Sequence, residues 1–198
     1  MVPAPVQELY KLYNDYGYFV TGYDQTPHYC QSSDEWDQWN IVSNPSLFET
    51  LKGGSCWDYC IAQSDFFKKN GIPHWNYCII CEQSPAEAAR QGTPATHTFT
   101  IFKGTDPDEY YYFEQAFKEK KGIYGPFKSL NEALYRTLLF LGKYNPNKVE
   151  VLSLHKHEPL KKNTYGMNSW QYCDYMRQEP VLWQVGEPTK NLLKISVE

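Results

Sequence analysis

Gly53-Gly54-Ser55-Cys56-Trp57-Asp58-Tyr59-Cys60 is the stretch on which the reading of this chain turns. The glycine pair delivers the chain to Ser55, a residue that favours helix caps, and a helical pattern runs on to about Asn70. Cys56, Cys60, Gln63 and Phe67 form one stripe of that helix, with Tyr59 and Phe66 alongside. Lys68-Lys69-Asn70-Gly71-Ile72-Pro73 ends it, with a basic last turn, then Gly, then Pro. Cys56 therefore falls in the first helical turn. There, free backbone N–H groups and the positive end of the helix dipole favour a thiolate.

Upstream, residues 6–17 carry apolar side chains at helical spacing and stop at Gly17. Residues 18–43 read as irregular. Pro45 to Lys52 reads as a short helix capped by Asn44 and stopped at Gly53. Downstream, His74 to Glu82 reads as a strand, and residues 83–95 as a polar loop. Thr96 to Lys103 alternates, with His97, Phe99 and Ile101 on one face and Thr96, Thr98 and Thr100 on the other. A turn at Gly104 to Glu109 leads into a strand at Tyr110 to Phe117, which makes a hairpin. Ser129 to Leu141 is an amphipathic helix with a capping box formed by Ser129 and Glu132. Lys148 to His155 reads as a strand, and the spacing predicts a helix over Asn168 to Arg177. With no internal repeat and no linker, the chain reads as one α+β domain over 1–198. Its core spans about 44–155, between an N-terminal helical segment and a C-terminal extension.

The length of 198 residues, with 41% hydrophobic and 21% charged, suits a folded domain with a full core. The net charge of −4, without a basic run, argues against nucleic acid or an anionic membrane as partner. No apolar run approaches a membrane span, and Met1-Val2-Pro3-Ala4-Pro5 lacks the look of a signal peptide, so a cytoplasmic location is expected. The six cysteines, at 30, 56, 60, 78, 81 and 173, are expected to be free thiols, because a chain with this much core needs no staples. The 17 tyrosines point to aromatic core packing.

The chemistry lies in Cys56, His97 and Glu114. A nucleophilic thiolate needs an adjacent imidazole, and the imidazole needs a third group that fixes its tautomer. Paired positions around a turn centred near residue 106 have numbers adding to about 212, and 97 and 114 add to 211. His97 and Glu114 are thereby expected close to opposite each other across the hairpin. A zinc site built from Cys56, Cys60, Cys78 and Cys81 is disfavoured, because residues three apart on a strand point to opposite faces. His155 and His157 are expected to be solvated, as are Asp106 and Asp108. Trp36 and Trp39 could flank a cleft, and the Trp36 to Asn40 region could supply an oxyanion donor beside the Cys56 N–H. No metal and no cofactor are expected.

Gly-Ser-Cys-Trp at a helix start, Asn-Gly-Ile-Pro at its end, then His-Thr-Phe-Thr-Ile-Phe and Tyr-Tyr-Phe-Glu occur in that order over roughly residues 50–117. This succession resembles the transglutaminase-like core of the papain-like cysteine-enzyme superfamily. The resemblance implies a helix bearing the Cys packed on an antiparallel sheet bearing the His and the acid. It makes Cys56 the nucleophile, His97 the general base and acid, and Glu114 the orienting acid, where the family commonly has Asp. It implies a cysteine-dependent enzyme acting on an amide or peptide bond through a thioester, as a peptidase, amidase or transglutaminase-like acyltransferase, with a peptide or protein as substrate. The alternative is an inactive member of the fold that binds a peptide or protein.

Overall fold

The computed structural model describes residues 1–29, 41–81, 96–116, 120–141, 144–145, 148–149 and 151–184. Among the described residues, five helices and one large sheet carry the architecture. The helices are α1 (Ala4–Asn14), α2 (Pro45–Leu51), α3 (Cys56–Lys69), α4 (Leu130–Phe140) and α5 (Ser169–Gln178). The sheet holds β1 (His74–Cys81), β2 (Thr96–Lys103), β3 (Tyr110–Glu114), β4 (Gly122–Phe127), β5 (Val151–His157) and β6 (Val181–Gln184). Its spatial order is β6-β5-β1-β2-β3-β4, with every neighbouring pair antiparallel.

The α+β class thus matches the expectation, as do the helix at Cys56, the short helix before it and the helix after Ser129. Asn44 caps α2 by accepting the Leu47 N–H, and Ser129 caps α4 by accepting the Glu132 N–H. The strand pattern missed β4, where Gly122, Gly125 and Pro126 look like a turn, and β6, which is short. The residues after Glu114 leave the strand, and Phe117 lies outside the described residues.

Strand alternation divides the core. Tyr77, Ile79, Phe99, Ile101 and Tyr112 face α4 and pack on Leu134 and Leu138. The opposite face carries α3. One cluster there joins Phe67 of α3 to Phe102, Phe113, α1 and Phe48 of α2. Another joins Trp57 and Ile61 of α3 to Cys78, Ile80 and α5. Because α3 is covered by the sheet, α1, α2 and α5, all its residues from Cys56 to Ser64 are buried. That removes the polar face a surface helix would show. Among the described residues, no helix is long and apolar enough to cross a membrane.

The expectation that His155 and His157 are solvated is wrong. β5 is an interior strand between β1 and β6, and both histidines are buried. His155 bonds the Glu179 carbonyl at 3.0 Å and Ser153 Oγ at 2.8 Å, and His157 Nε2 meets the Tyr172 hydroxyl at 2.6 Å.

Phe67 is fully buried, with Phe102 at 5.1 Å and His74 at 5.4 Å between ring centroids. Its truncation leaves a cavity at the joint between α3 and the sheet. Phe67→Ala is expected to lower unfolding stability by about 3–5 kcal/mol, read by urea denaturation.

Candidate active site

The start of α3 is built by Asp58. Its Oδ2 accepts the Ser55 backbone N–H at 2.8 Å and the Ser55 hydroxyl at 2.9 Å, while its Oδ1 accepts the Ser43 N–H at 2.8 Å. Burial pushes the Asp58 carboxyl up to about 6 against these hydrogen bonds, which pull it down. The glycines before it are required by close approach. A Cβ on Gly54 would lie 2.6 Å from the Asp58 carboxylate. One on Gly53, where φ is +144°, would lie 2.1 Å from the Gly17 carbonyl oxygen. Cys56 follows as the first residue of the helix.

The sheet brings the partners. His97 Nε2 lies 3.2 Å from Glu114 Oε2, and both residues are buried. Glu114 is itself held: its Oε1 accepts the Ala116 N–H at 2.6 Å, and its Oε2 accepts the Tyr112 hydroxyl. The Cys56 thiol hydrogen-bonds to the same imidazole. All three residues singled out from the sequence therefore meet at one place.

They do not meet in the expected register. The ladder between β2 and β3 runs from Lys103↔Tyr110 to Thr100↔Phe113, so paired numbers add to 213. Continued one step, it puts Glu114 opposite Phe99, and His97 becomes the diagonal neighbour on the same face. The His97 and Phe99 rings stack at 6.1 Å between centroids. That face is the one covered by α4, whereas Cys56 belongs to α3 on the other. Contact across the sheet is possible because the β2–β3 pairing stops at Thr100 and Phe113. A small cavity lined by Cys56, Thr98, Phe99, Glu114 and Gln115 marks the gap.

Electrostatics separate the two thiols of α3. Burial alone would push the Cys56 thiol up. The hydrogen bond and charge of His97, with the Thr98 backbone N–H, outweigh it and hold the thiol below its ordinary value. Cys60, one turn on, is pushed up to about 12, mainly by burial; its Sγ–H donates to Asn76 Oδ1 at 3.4 Å. Burial opposes the charge of His97, but Glu114 and the Cys56 hydrogen bond raise it to about 10. Both shifts favour the same ion pair, a thiolate beside an imidazolium.

Two neighbours went unread in the sequence. Gly17 and Tyr18 pair in parallel with Gly53 and Gly54, and Phe19 N–H donates to the Gly54 carbonyl at 3.3 Å. This seats the Tyr18 hydroxyl at the backbone N–H of Cys56; the residue is 37% exposed, but its hydroxyl end is buried there, which pushes the phenol well up. Tyr18 belongs to a stretch whose periodicity signals nothing. Its short pairing with the two glycines is a tertiary contact. The second neighbour is Gln115, 1% exposed and lining the gap beside Cys56, with neither amide atom hydrogen-bonded among the described residues. Trp36, Trp39 and Asn40 lie outside the described residues. Cys56, Cys60, Cys78 and Cys173 are in no disulfide. No protein-family model matches the chain, and no curated protein matches it.

Thiolate is the form that iodoacetamide alkylates. The Cys56 alkylation rate is expected to rise with pH through a midpoint below the ordinary thiol value. His97→Ala removes the largest lowering influences and leaves burial, so the midpoint moves alkaline. Peptide mapping of the adduct against pH checks this, with Cys60 as an internal control that stays unlabelled at neutral pH. A midpoint for Cys56 unmoved by His97→Ala would remove the thiolate–imidazolium pair.

Proposed function

We propose that this protein is a cysteine-dependent acyl-transfer enzyme of the transglutaminase-like, papain-like type, acting on an amide or peptide bond. The observation that carries this reading is one buried imidazole held between the Cys56 thiol and the Glu114 carboxylate.

Cys56 Sγ attacks the carbonyl carbon, the C–S bond forms, and the carbonyl π-electrons move onto oxygen. The imidazolium of His97 gives its proton to the leaving nitrogen, the C–N bond breaks, and a thioester remains. His97, now neutral, takes a proton from water or from an amine, which attacks the thioester; the C–S bond breaks, and the Cys56 thiolate leaves beside the imidazolium. Glu114 keeps the proton on Nε2 and steadies the imidazolium; Tyr112 and Ala116 hold its carboxylate in place. The backbone N–H of Cys56 is the first donor to the oxyanion. The Tyr18 hydroxyl sits on that N–H, so the substrate's carbonyl oxygen takes the place now held by a phenol oxygen.

A second reading, a peptide- or protein-binding module without turnover, is favoured by the covering of the site: Cys56 is 8% and His97 6% exposed. p-Nitrophenyl acetate separates the two. An enzyme gives a burst of about one p-nitrophenol per chain, with the acetyl group mapped to Cys56. Cys56→Ala abolishes the burst, and Glu114→Gln slows it by a factor on the order of 10² to 10⁴. A binding module gives no burst and acylates no faster at Cys56 than at other thiols, and that result would end the proposal.

Tyr18→Phe keeps the ring and deletes the hydroxyl from the Cys56 N–H. Losing one competing hydrogen bond of about 1 kcal/mol is expected to speed acylation about fivefold. A slower burst would instead make the hydroxyl a donor to the oxyanion.

A further inference from the structure

The gap beside Cys56 is lined by two polar side chains that the mechanism does not use. Gln115 is fully buried, and neither its Oε1 nor its Nε2 has a hydrogen-bond partner among the described residues. Thr98 is buried as well, and its Oγ1 meets no atom at hydrogen-bond distance among them. Both come from the α3 side of the sheet. Thr98 lies two residues before Thr100, whose hydroxyl meets Cys60 Sγ at 3.5 Å. Gln115 lies two residues after Phe113, which packs with Phe67 of α3. Both line the gap together with Cys56 and Cys60.

A buried carboxamide gives up its bonds to water, which is costly unless a partner replaces them. The gap has a volume of about 10 Å³, close to the least that admits one water molecule. Apolar cavities of that size stay dry, whereas a buried water is held where it meets about three polar partners. The Gln115 amide, the Thr98 hydroxyl and the Cys56 sulfur make up such a set around this gap. The Thr98 hydroxyl also lies near enough to both α3 sulfurs to pull their thiols down, without closing a hydrogen bond to either.

We propose that Gln115 is a positioning residue for the nucleophile: it fixes one buried water in the gap, and that water donates a hydrogen bond to the Cys56 sulfur. The water gives its other hydrogen to Gln115 Oε1 and accepts the Thr98 hydroxyl, so each of its bonds has a partner. A thiolate is a far better acceptor than a thiol, so the bond favours the charged form. The role as positioning residue rests on the acyl-transfer reading; the water site itself does not. The titratable groups that face the thiol are His97 and Glu114 of the sheet, Tyr112 beside them, Tyr18 and Cys60. Gln115 carries no charge, and replacing it by an apolar residue alters none of theirs.

Two measurements on the full chain test it. A crystal structure of the parent that shows ordered water is expected to place one water within hydrogen-bond distance of both the Gln115 amide and Cys56 Sγ. In Gln115→Leu, and in Gln115→Met, which keeps the length of the side chain, the pH midpoint of Cys56 alkylation by iodoacetamide is expected to move alkaline. The shift is on the order of one pH unit, the worth of one hydrogen bond to a charged group. The sign follows from the bond, which stabilises the thiolate alone, so its loss favours the thiol. A Gln115 with a merely structural role would change the melting temperature and leave the midpoint in place. No water bridging the two residues, or a midpoint unmoved in both variants, would overturn the assignment. Neither readout needs turnover. An absent p-nitrophenol burst therefore counts against the acyl-transfer reading, and an unmoved midpoint against Gln115 alone.

Discussion

The buried carboxylate of Asp58 is the constraint from which the site follows. One acid ties three chain segments, because it binds the residue before Cys56, the backbone of Ser43 and the turn of α3 that it belongs to. A charge in such a place is tolerated only when its lone pairs are filled, and here backbone N–H groups and a hydroxyl fill them. The clamp dictates the sequence in front of it. Gly54 has no room for a side chain against that carboxylate, and Gly53 has none against Gly17. The Gly-Gly pair that opens the motif is therefore a packing requirement of the acid and of the segment bearing Tyr18.

With the helix start fixed, the remaining geometry depends on where two strands stop pairing. A continuous β2–β3 ladder would wall α3 off from the face that carries His97. The ladder ends at Thr100 and Phe113, and past that point Thr98, Phe99, Glu114 and Gln115 border a gap at the Cys56 thiol. Backbone N–H groups released by the end of a ladder become donors for other partners. Thr98 N–H turns to the Cys56 sulfur, and Ala116 N–H to Glu114. The same interruption that opens the sheet thus supplies two hydrogen bonds that hold negative charge.

Local signals made much of this legible. Caps and stops marked α2, α3 and α4, and period-two alternation marked β2 with the right residues on each face. What escaped was non-local. Asp58 stands three residues after Ser55, a capping pattern, but its bond to Ser43 crosses fifteen residues and leaves no periodic trace. Tyr18 sits in a stretch without a dominant period. The burial of His155 and His157 follows from the interior place of β5, and strand order is not written in any one strand. The hairpin register was off by one or two because the turn between Lys103 and Tyr110 is six residues long, and its centre lies half a residue beyond the one assumed.

That small error bears on why the third residue is Glu. Directly opposite residues on paired strands have Cβ atoms about 5 Å apart, a span an aspartate covers. Diagonal neighbours on the same face lie about 7–8 Å apart, within reach only of longer side chains. Phe99 occupies the place opposite Glu114 and stacks on the imidazole, so the acid must reach past it to His97 Nε2. The extra methylene of Glu supplies that reach. Tyr112 and the Ala116 N–H then remove the freedom that a longer side chain brings. Judged by residue type alone, a glutamate looks like a departure from an Asp pattern. Judged by register, it is the acid this diagonal pairing calls for.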